Sequence, residues 1–128
     1  MSFRAELNLE FRFDAAHKMA DSFEPGHPNA RLHGHSYYGH VTVVGTVDPV
    51  TGFVTEVDAL KARVNETVGE LEHRLLNDIP GLEIPSSEII ARWIWRRLAV
   101  SVPQLKSVTI SRPSVGMSVT YRGEDFVS

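Results

Sequence analysis

With 128 residues, a formal charge of −3 and about a quarter of its side chains charged, the chain has the composition of one soluble globular domain with a real core. The slight negative balance and the lack of a basic cluster argue against a nucleic-acid partner. No apolar run approaches membrane-spanning length and no secretory pattern opens the sequence, so no membrane role is expected and a cytoplasmic location is the default. The absence of cysteine excludes disulfides and thiolate-held metal, and fits a reducing compartment.

Residues from about 5 to 18 read as a first strand. Leu7, Leu9, Phe11, Phe13 and Ala15 take alternate positions, and His17 continues their phase. The segment Ala20 to Ala30 carries Pro25, Gly26 and Pro28 and reads as a loop, long for a hairpin connection. A second strand is expected from about 31 to 48, with Val41, Val43 and Val47 on one face and Ser36, Tyr38, His40 and Thr42 on the other. His33 and His35, two apart, project from the same face of such a strand. A His-x-His pair in a half-polar strand is commonplace by itself. Two neighbouring strands with these faces aligned, however, would gather His17, His33 and His35 at one point. Three nitrogen ligands with an open fourth position are what a catalytic zinc site needs, although imidazole also suits copper, nickel and iron.

Asp48 to Gly52 reads as a turn. Thr55 followed by Asp58 resembles a capping box, and Val57, Leu60, Val64, Val68, Leu71 and Leu75 step by three or four, which predicts a helix of about twenty residues. Asn77 to Gly81 should end it. A second helix is expected from an N-cap at Ser86 or Ser87 through Ile90, Trp93, Ile94 and Leu98 to Pro103. Strands from Ser107 to about Arg112 and from Met117 to Arg122, joined by Pro113 to Gly116, close the chain. The order β-β-α-α-β-β predicts an α+β domain: an antiparallel sheet with two helices on one face. Its open edges favour a ring-like homo-oligomer in which sheets from several subunits join.

Phe13-Asp14-Ala15-Ala16-His17, Leu32-His33-Gly34-His35-Ser36, Val47 to Gly52, Leu71-Glu72-His73, Leu76 to Glu83, Pro85-Ser86-Ser87-Glu88 and Tyr121-Arg122-Gly123-Glu124, in this order and spacing, resemble the 6-pyruvoyl-tetrahydropterin synthase and 6-carboxy-tetrahydropterin synthase family over nearly the whole chain. The resemblance implies the tunnelling fold (T-fold), homotrimers or homohexamers built on a closed barrel, active sites at subunit interfaces, and Zn2+ on His17, His33 and His35. It implies a lyase acting on 7,8-dihydroneopterin triphosphate, with zinc stabilising the charge that develops as a neighbouring carbon loses its proton. The family's base is a cysteine in the loop before His-Gly-His, assisted by an Asp-His pair.

The chain departs from that pattern. Asn29 stands four residues before His33, where the bacterial branch has its cysteine, and a carboxamide is no base near neutral pH. The Asp-His pair becomes Glu72-His73. On the predicted helix His73 lies about 200° from Leu71, as either a solvated surface histidine or one turned toward a neighbouring subunit's zinc. The glutamate that clamps the pterin ring in the family lies eight residues before the closing tyrosine; here that count lands on Pro113, with Arg112 adjacent. Ser86, Ser87 and Glu88 retain near-family form as a ring-binding patch, while also reading as an ordinary helix N-terminus. His27, six residues before His33, is the candidate replacement for the cysteine, as base or as a phosphate contact; Glu24 is a weaker one. Three functions remain open: a pterin-synthase lyase with shifted catalytic groups, the same scaffold with a changed substrate, or a zinc-containing oligomer that binds a small heterocycle without turnover.

Overall fold

The computed structural model describes residues 2–20 and 22–126, so Asp21 of the expected loop lies outside it. The elements are β1 (Arg4–His17), β2 (His33–Thr46), α1 (Val57–Gly69), α2 (Ser87–Ala99), β3 (Leu105–Arg112) and β4 (Met117–Tyr121), with short 3-10 turns at Pro28–Ala30, Leu76–Asp78 and Pro113–Val115. The strands form one antiparallel sheet in the order β1-β2-β3-β4, as the sequence order predicts. Among the described residues no helix is long and apolar enough to cross a membrane.

β1 and β2 pair without interruption from Arg4 opposite Thr46 to His17 opposite His33. Because facing residues share a side of the sheet, the odd positions of both strands bury together: Phe11, Phe13, Ala15, Tyr37, Val41 and Val43. Val108 and Ile110 of β3 join them, and Leu60 and Val64 of α1 with Ile90, Ile94 and Leu98 of α2 cover them. Each such large side chain stabilises the fold by roughly 1.5–3 kcal/mol. Gly39 faces Phe11, and a Cβ there would collide with the Phe11 ring and the Thr109 carbonyl, so the backbone must be bare where that ring crosses it. The other side of the sheet is polar: Thr42 donates to Asn8 at 2.5 Å, and the Thr109 and Thr120 hydroxyls lie 2.8 Å apart.

The helices are shorter than their periodicity suggests. α1 stops at Gly69, a weak helix former, and not at Leu75. Leu71 is still buried from a turn after the helix, whereas Leu75, the last of the stepped positions, is half-buried and its neighbour Leu76 is buried instead, so an apolar spacing that looks helical is met by another backbone. Its N-cap is Glu56 rather than Thr55: the Glu56 carboxylate accepts from the Asp58 and Ala59 amides at 2.9 and 2.7 Å. α2 begins as expected behind Ser86 but ends at Ala99, before Pro103. The residue preceding a proline avoids the helical region, and the amides of Ser101 and Val102 both turn back to the Leu98 carbonyl.

Candidate functional site

The β1–β2 register sets His17 directly opposite His33, with His35 two residues further along the same face. Their ring centroids lie 4.5–4.7 Å apart. The His17 Nδ1–H donates to the Pro85 carbonyl at 3.3 Å and to the Tyr37 hydroxyl at 3.1 Å, and the His33 Nδ1–H donates to the Arg31 carbonyl at 2.6 Å. With both Nδ1 protons spent outward, the two Nε2 atoms carry lone pairs, and they face each other at 3.1 Å. Two acceptors at that distance repel unless a cation lies against both. Carbonyl partners on the outer nitrogens are also what orients metal-ligating imidazoles. One nitrogen from each of the three rings lies within 4.8 Å of the others, so the donor set fits a divalent transition-metal ion.

Burial, with further opposition from His33 and from the Arg112 guanidinium, pushes the His17 pKa down to about 4 in spite of the Pro85 hydrogen bond, which raises it. His35 is likewise pushed down to about 4, first by burial and then by Arg112. Both rings are therefore neutral at physiological pH, the state a metal ligand requires. Beneath them Tyr37, stacked on Phe13 at 4.8 Å, has its hydroxyl pushed up to about 12 by burial and stays protonated.

The three rings line a cavity of about 400 Å3 together with Ser86, Ser87 and Glu88 at the start of α2, Asn29 and Phe23 from the β1–β2 connection, and Arg112, Val115 and Met117 from the β3–β4 end. The serine patch and Asn29 thus sit beside the imidazoles, although Ser86 Oγ is already engaged as the N-cap, accepting from the Ile89 amide at 3.2 Å. His27 and Glu24 do not line the cavity. The His27 ring stacks on Phe23 at 4.4 Å, and its Nδ1 accepts from the Asn29 amide at 3.0 Å. Pro113 opens the 3-10 turn after β3, so the residue that faces the cavity there is Arg112, whose guanidinium donates to His35 Nδ1 at 2.9 Å. Counting back from Tyr121 passes over this role. The alternation Val108, Ile110, Arg112 carries the signal, since it puts Arg112 on the buried face of β3.

Glu72 and His73 lie in the turns after α1, so the helical placement of His73 is overturned. His73 has φ 56°, the only non-glycine residue with positive φ among the described residues. That conformation costs on the order of 1–2 kcal/mol and is held by the surroundings. The His73 amide donates to the Asp14 carbonyl at 2.7 Å, the Ala16 amide donates to the Arg74 carbonyl at 2.9 Å, and Leu75 bridges Ala16 in parallel. Glu72 Oε1 accepts from the Asp14 amide at 3.3 Å and lies 3.1 Å from His73 Nε2. The imidazole itself is 79% exposed. It borders a hollow of about 520 Å3 shared with Asp14, Gly34, Ser36 and His35, so His35 lines both hollows.

Comparison with known proteins agrees with this arrangement. The family model described as 6-pyruvoyl tetrahydropterin synthase matches residues 6–124. A 6-carboxy-5,6,7,8-tetrahydropterin synthase of Synechocystis is 42% identical over 109 residues, covering 79% of this chain and 81% of that protein. A dihydroneopterin monophosphate aldolase of Pyrococcus furiosus is 35% identical over 101 residues, covering 78% and 80%. The structure of the Caenorhabditis elegans 6-pyruvoyl tetrahydropterin synthase superposes with a TM-score of 0.83 at 26% identity, covering 94% of this chain and 96% of that one. The chain belongs to the 6-pyruvoyl tetrahydropterin synthase family, has its fold, and is an enzyme of that pterin-synthase, lyase class.

Proposed function

We propose that the chain is a zinc-dependent lyase acting on 7,8-dihydroneopterin triphosphate or a closely related pterin, working as a cytoplasmic homotrimer or homohexamer. The observation that carries this reading is the trio His17, His33 and His35, with His17 and His33 committing their Nδ1 protons to carbonyls and turning their Nε2 lone pairs inward. An all-imidazole set of three favours Zn2+ over ions that prefer oxygen or thiolate. When bound, the ion supplies Lewis-acid polarisation of substrate oxygens. The relatives named as synthases and as a dihydroneopterin monophosphate aldolase support side-chain chemistry on a reduced pterin. The edges of β1 and β4 support subunit association, which would also bring side chains of one subunit toward the site of another.

The chain's own residues supply the rest. Ser87 and Glu88 offer polar contacts to a heterocycle in the cavity, and Phe23 offers an apolar wall. His73 is the proton carrier. Its Nε2–H donates to Glu72, which leaves the Nδ1 lone pair to take a proton and lets the carboxylate stabilise the imidazolium that results. His27 stands as a second base through Nδ1, whose lone pair is free once its loop gives up the Asn29 amide. Incubating zinc-loaded protein with 7,8-dihydroneopterin triphosphate and resolving the products chromatographically tests this: a 6-pyruvoyl, 6-carboxy or shortened side-chain product is expected, and recovery of unchanged substrate overturns it.

A specific observation favours a second reading. Asn29 and Arg112 both line the cavity, one where the resemblance calls for a cysteine and the other beside the missing acceptor. Together they suit the same scaffold with a changed substrate. In that case dihydroneopterin triphosphate binds without reacting.

A further inference from the structure

Arg112 reaches the imidazole cluster from the end of β3. Its Nη2 donates to His35 Nδ1 at 2.9 Å, and its guanidinium carbon lies 5.7 Å from the centre of the Tyr37 ring. Arg12, Arg63, Arg92, Arg96 and Arg97 each have a carboxylate within 4.0 Å; among the described residues Arg4, Arg31, Arg74, Arg112 and Arg122 have none, and of these five only Arg112 is not exposed. A partly buried guanidinium without an acidic partner has donors to offer, and here they border a cavity.

Elementary imidazole chemistry then limits what His35 can do. A neutral ring has a single in-plane lone pair. If Nδ1 accepts from Arg112, Nε2 holds the proton and cannot ligate. If instead Nε2 ligates, Nδ1 holds the proton and cannot accept from Arg112. Ligation of a metal by His35 and the Arg112 hydrogen bond therefore exclude one another, whichever nitrogen the metal takes. Once displaced, the guanidinium is a planar five-donor cation beside a second cation, in a cavity whose one acidic wall residue, Glu88, lies beyond salt-bridge distance.

We infer that Arg112 is the residue that selects the ligand's charge: metal binding at His35 turns its guanidinium into the cavity, where it takes an oxyanion of the ligand, a carboxylate or a phosphate. This rests on reading the three histidines as a metal centre. A planar fork matches two oxygens of such a group. Because the metal frees Arg112 for the anion and the anion frees His35 for the metal, each promotes the other's binding, and the effect is reciprocal. The ligand is thus one that carries its anionic group close to the metal, not merely at the far end of a chain.

The test uses the full chain, metal-free and zinc-loaded, as wild type, Arg112→Met and Arg112→Lys, with native folding checked by near-ultraviolet circular dichroism. Zn2+ affinity is read by competition with a chromophoric chelator. Arg112→Met removes the competitor for His35 and should bind Zn2+ about tenfold more tightly. Inorganic phosphate and benzoate are then titrated calorimetrically into the zinc-loaded proteins. Wild type should bind at least one of them about tenfold more tightly than Arg112→Met, and Arg112→Lys, a point charge without the fork, should fall between and serves if the methionine variant misfolds. Preference for phosphate or for benzoate names the group. Unchanged or weaker Zn2+ binding in Arg112→Met, or equal anion binding in all three proteins, overturns the inference. No turnover is measured, so failure to transform dihydroneopterin triphosphate would strike the proposed activity and leave this result standing. Wild type that takes up no zinc would overturn both.

Discussion

The two hollows that meet at His35 are built in opposite ways. The imidazole cluster stands on regular backbone: His17, His33 and His35 occupy strand positions whose side is decided by parity, and the continuous β1–β2 ladder places them with no local distortion. The Glu72–His73 corner stands on irregular backbone, where a left-handed residue is held by hydrogen bonds to the end of β1. The first arrangement suits groups that must converge on one point. The second suits a side chain that must project, since a 79% exposed imidazole has no packing to aim it and depends on its backbone and on Glu72. Register thus gathers three imidazoles and a strained backbone aims a fourth, which under the proposed function are the ligands and the proton carrier.

That contrast predicts different losses. His33→Ala removes one of three ligands from the regular site. Zinc content, measured by elemental analysis, should fall well below one per chain, and turnover should drop by roughly a thousandfold or more, because Lewis-acid stabilisation is worth several kcal/mol and each ~1.4 kcal/mol is a factor of ten. His73→Ala should leave zinc content at wild-type level while turnover falls by about 10²–10⁴, the usual contribution of a general base. If His73→Ala also lost its zinc, the two regions would not be separable and the division of labour drawn here would be wrong. Glu72→Gln keeps the shape of the pair but removes the charge that stabilises the imidazolium. A smaller loss, on the order of 10- to 100-fold in turnover with zinc retained, is expected.

The same contrast explains what was legible in the sequence. The order of elements, the pairing of the long strands and the convergence of three histidines all follow from period-two alternation, which a strand obeys strictly. The motifs flanking them pointed to the family that the comparisons then showed. The end of α1 was not legible, because Leu71 and Leu75 keep helix-like spacing while their backbone has left the helix. The same holds for His73: a direction read from helical geometry fails where the backbone is left-handed. Arg112, which the sequence shows only as the neighbour of the clamp position, is hidden for a different reason. A count anchored on Tyr121 ran through the 3-10 turn at Pro113–Val115, whereas parity along β3 stays reliable up to the turn.

Stability separates the regions in the opposite sense from activity. His73→Gly replaces a left-handed L-residue by the one residue that adopts φ 56° freely, so it recovers on the order of 1–2 kcal/mol of strain. The added freedom of glycine in the unfolded chain offsets roughly half of that. Urea denaturation should show the variant up to about 1 kcal/mol more stable than wild type, with turnover lost. A destabilised variant would mean that the backbone is not strained at this point, and that the geometry of the corner comes from the imidazole itself.

The remaining expected effect is the pH dependence of the metal-free protein, which belongs to the regular site. His17 and His35 titrate near 4 in the folded chain and near 6.5 when unfolded, so between those values the unfolded chain binds more protons. Stability is therefore greatest above about pH 6.5 and declines as the pH falls toward 4. Thermal melts of chelator-treated protein should show Tm falling over that window. His17 is buried and carries most of the decline, while solvent at the half-buried His35 tempers its share. His17→Ala should flatten this slope. A slope unchanged in His17→Ala would mean that the buried proton-linked group lies outside the ladder.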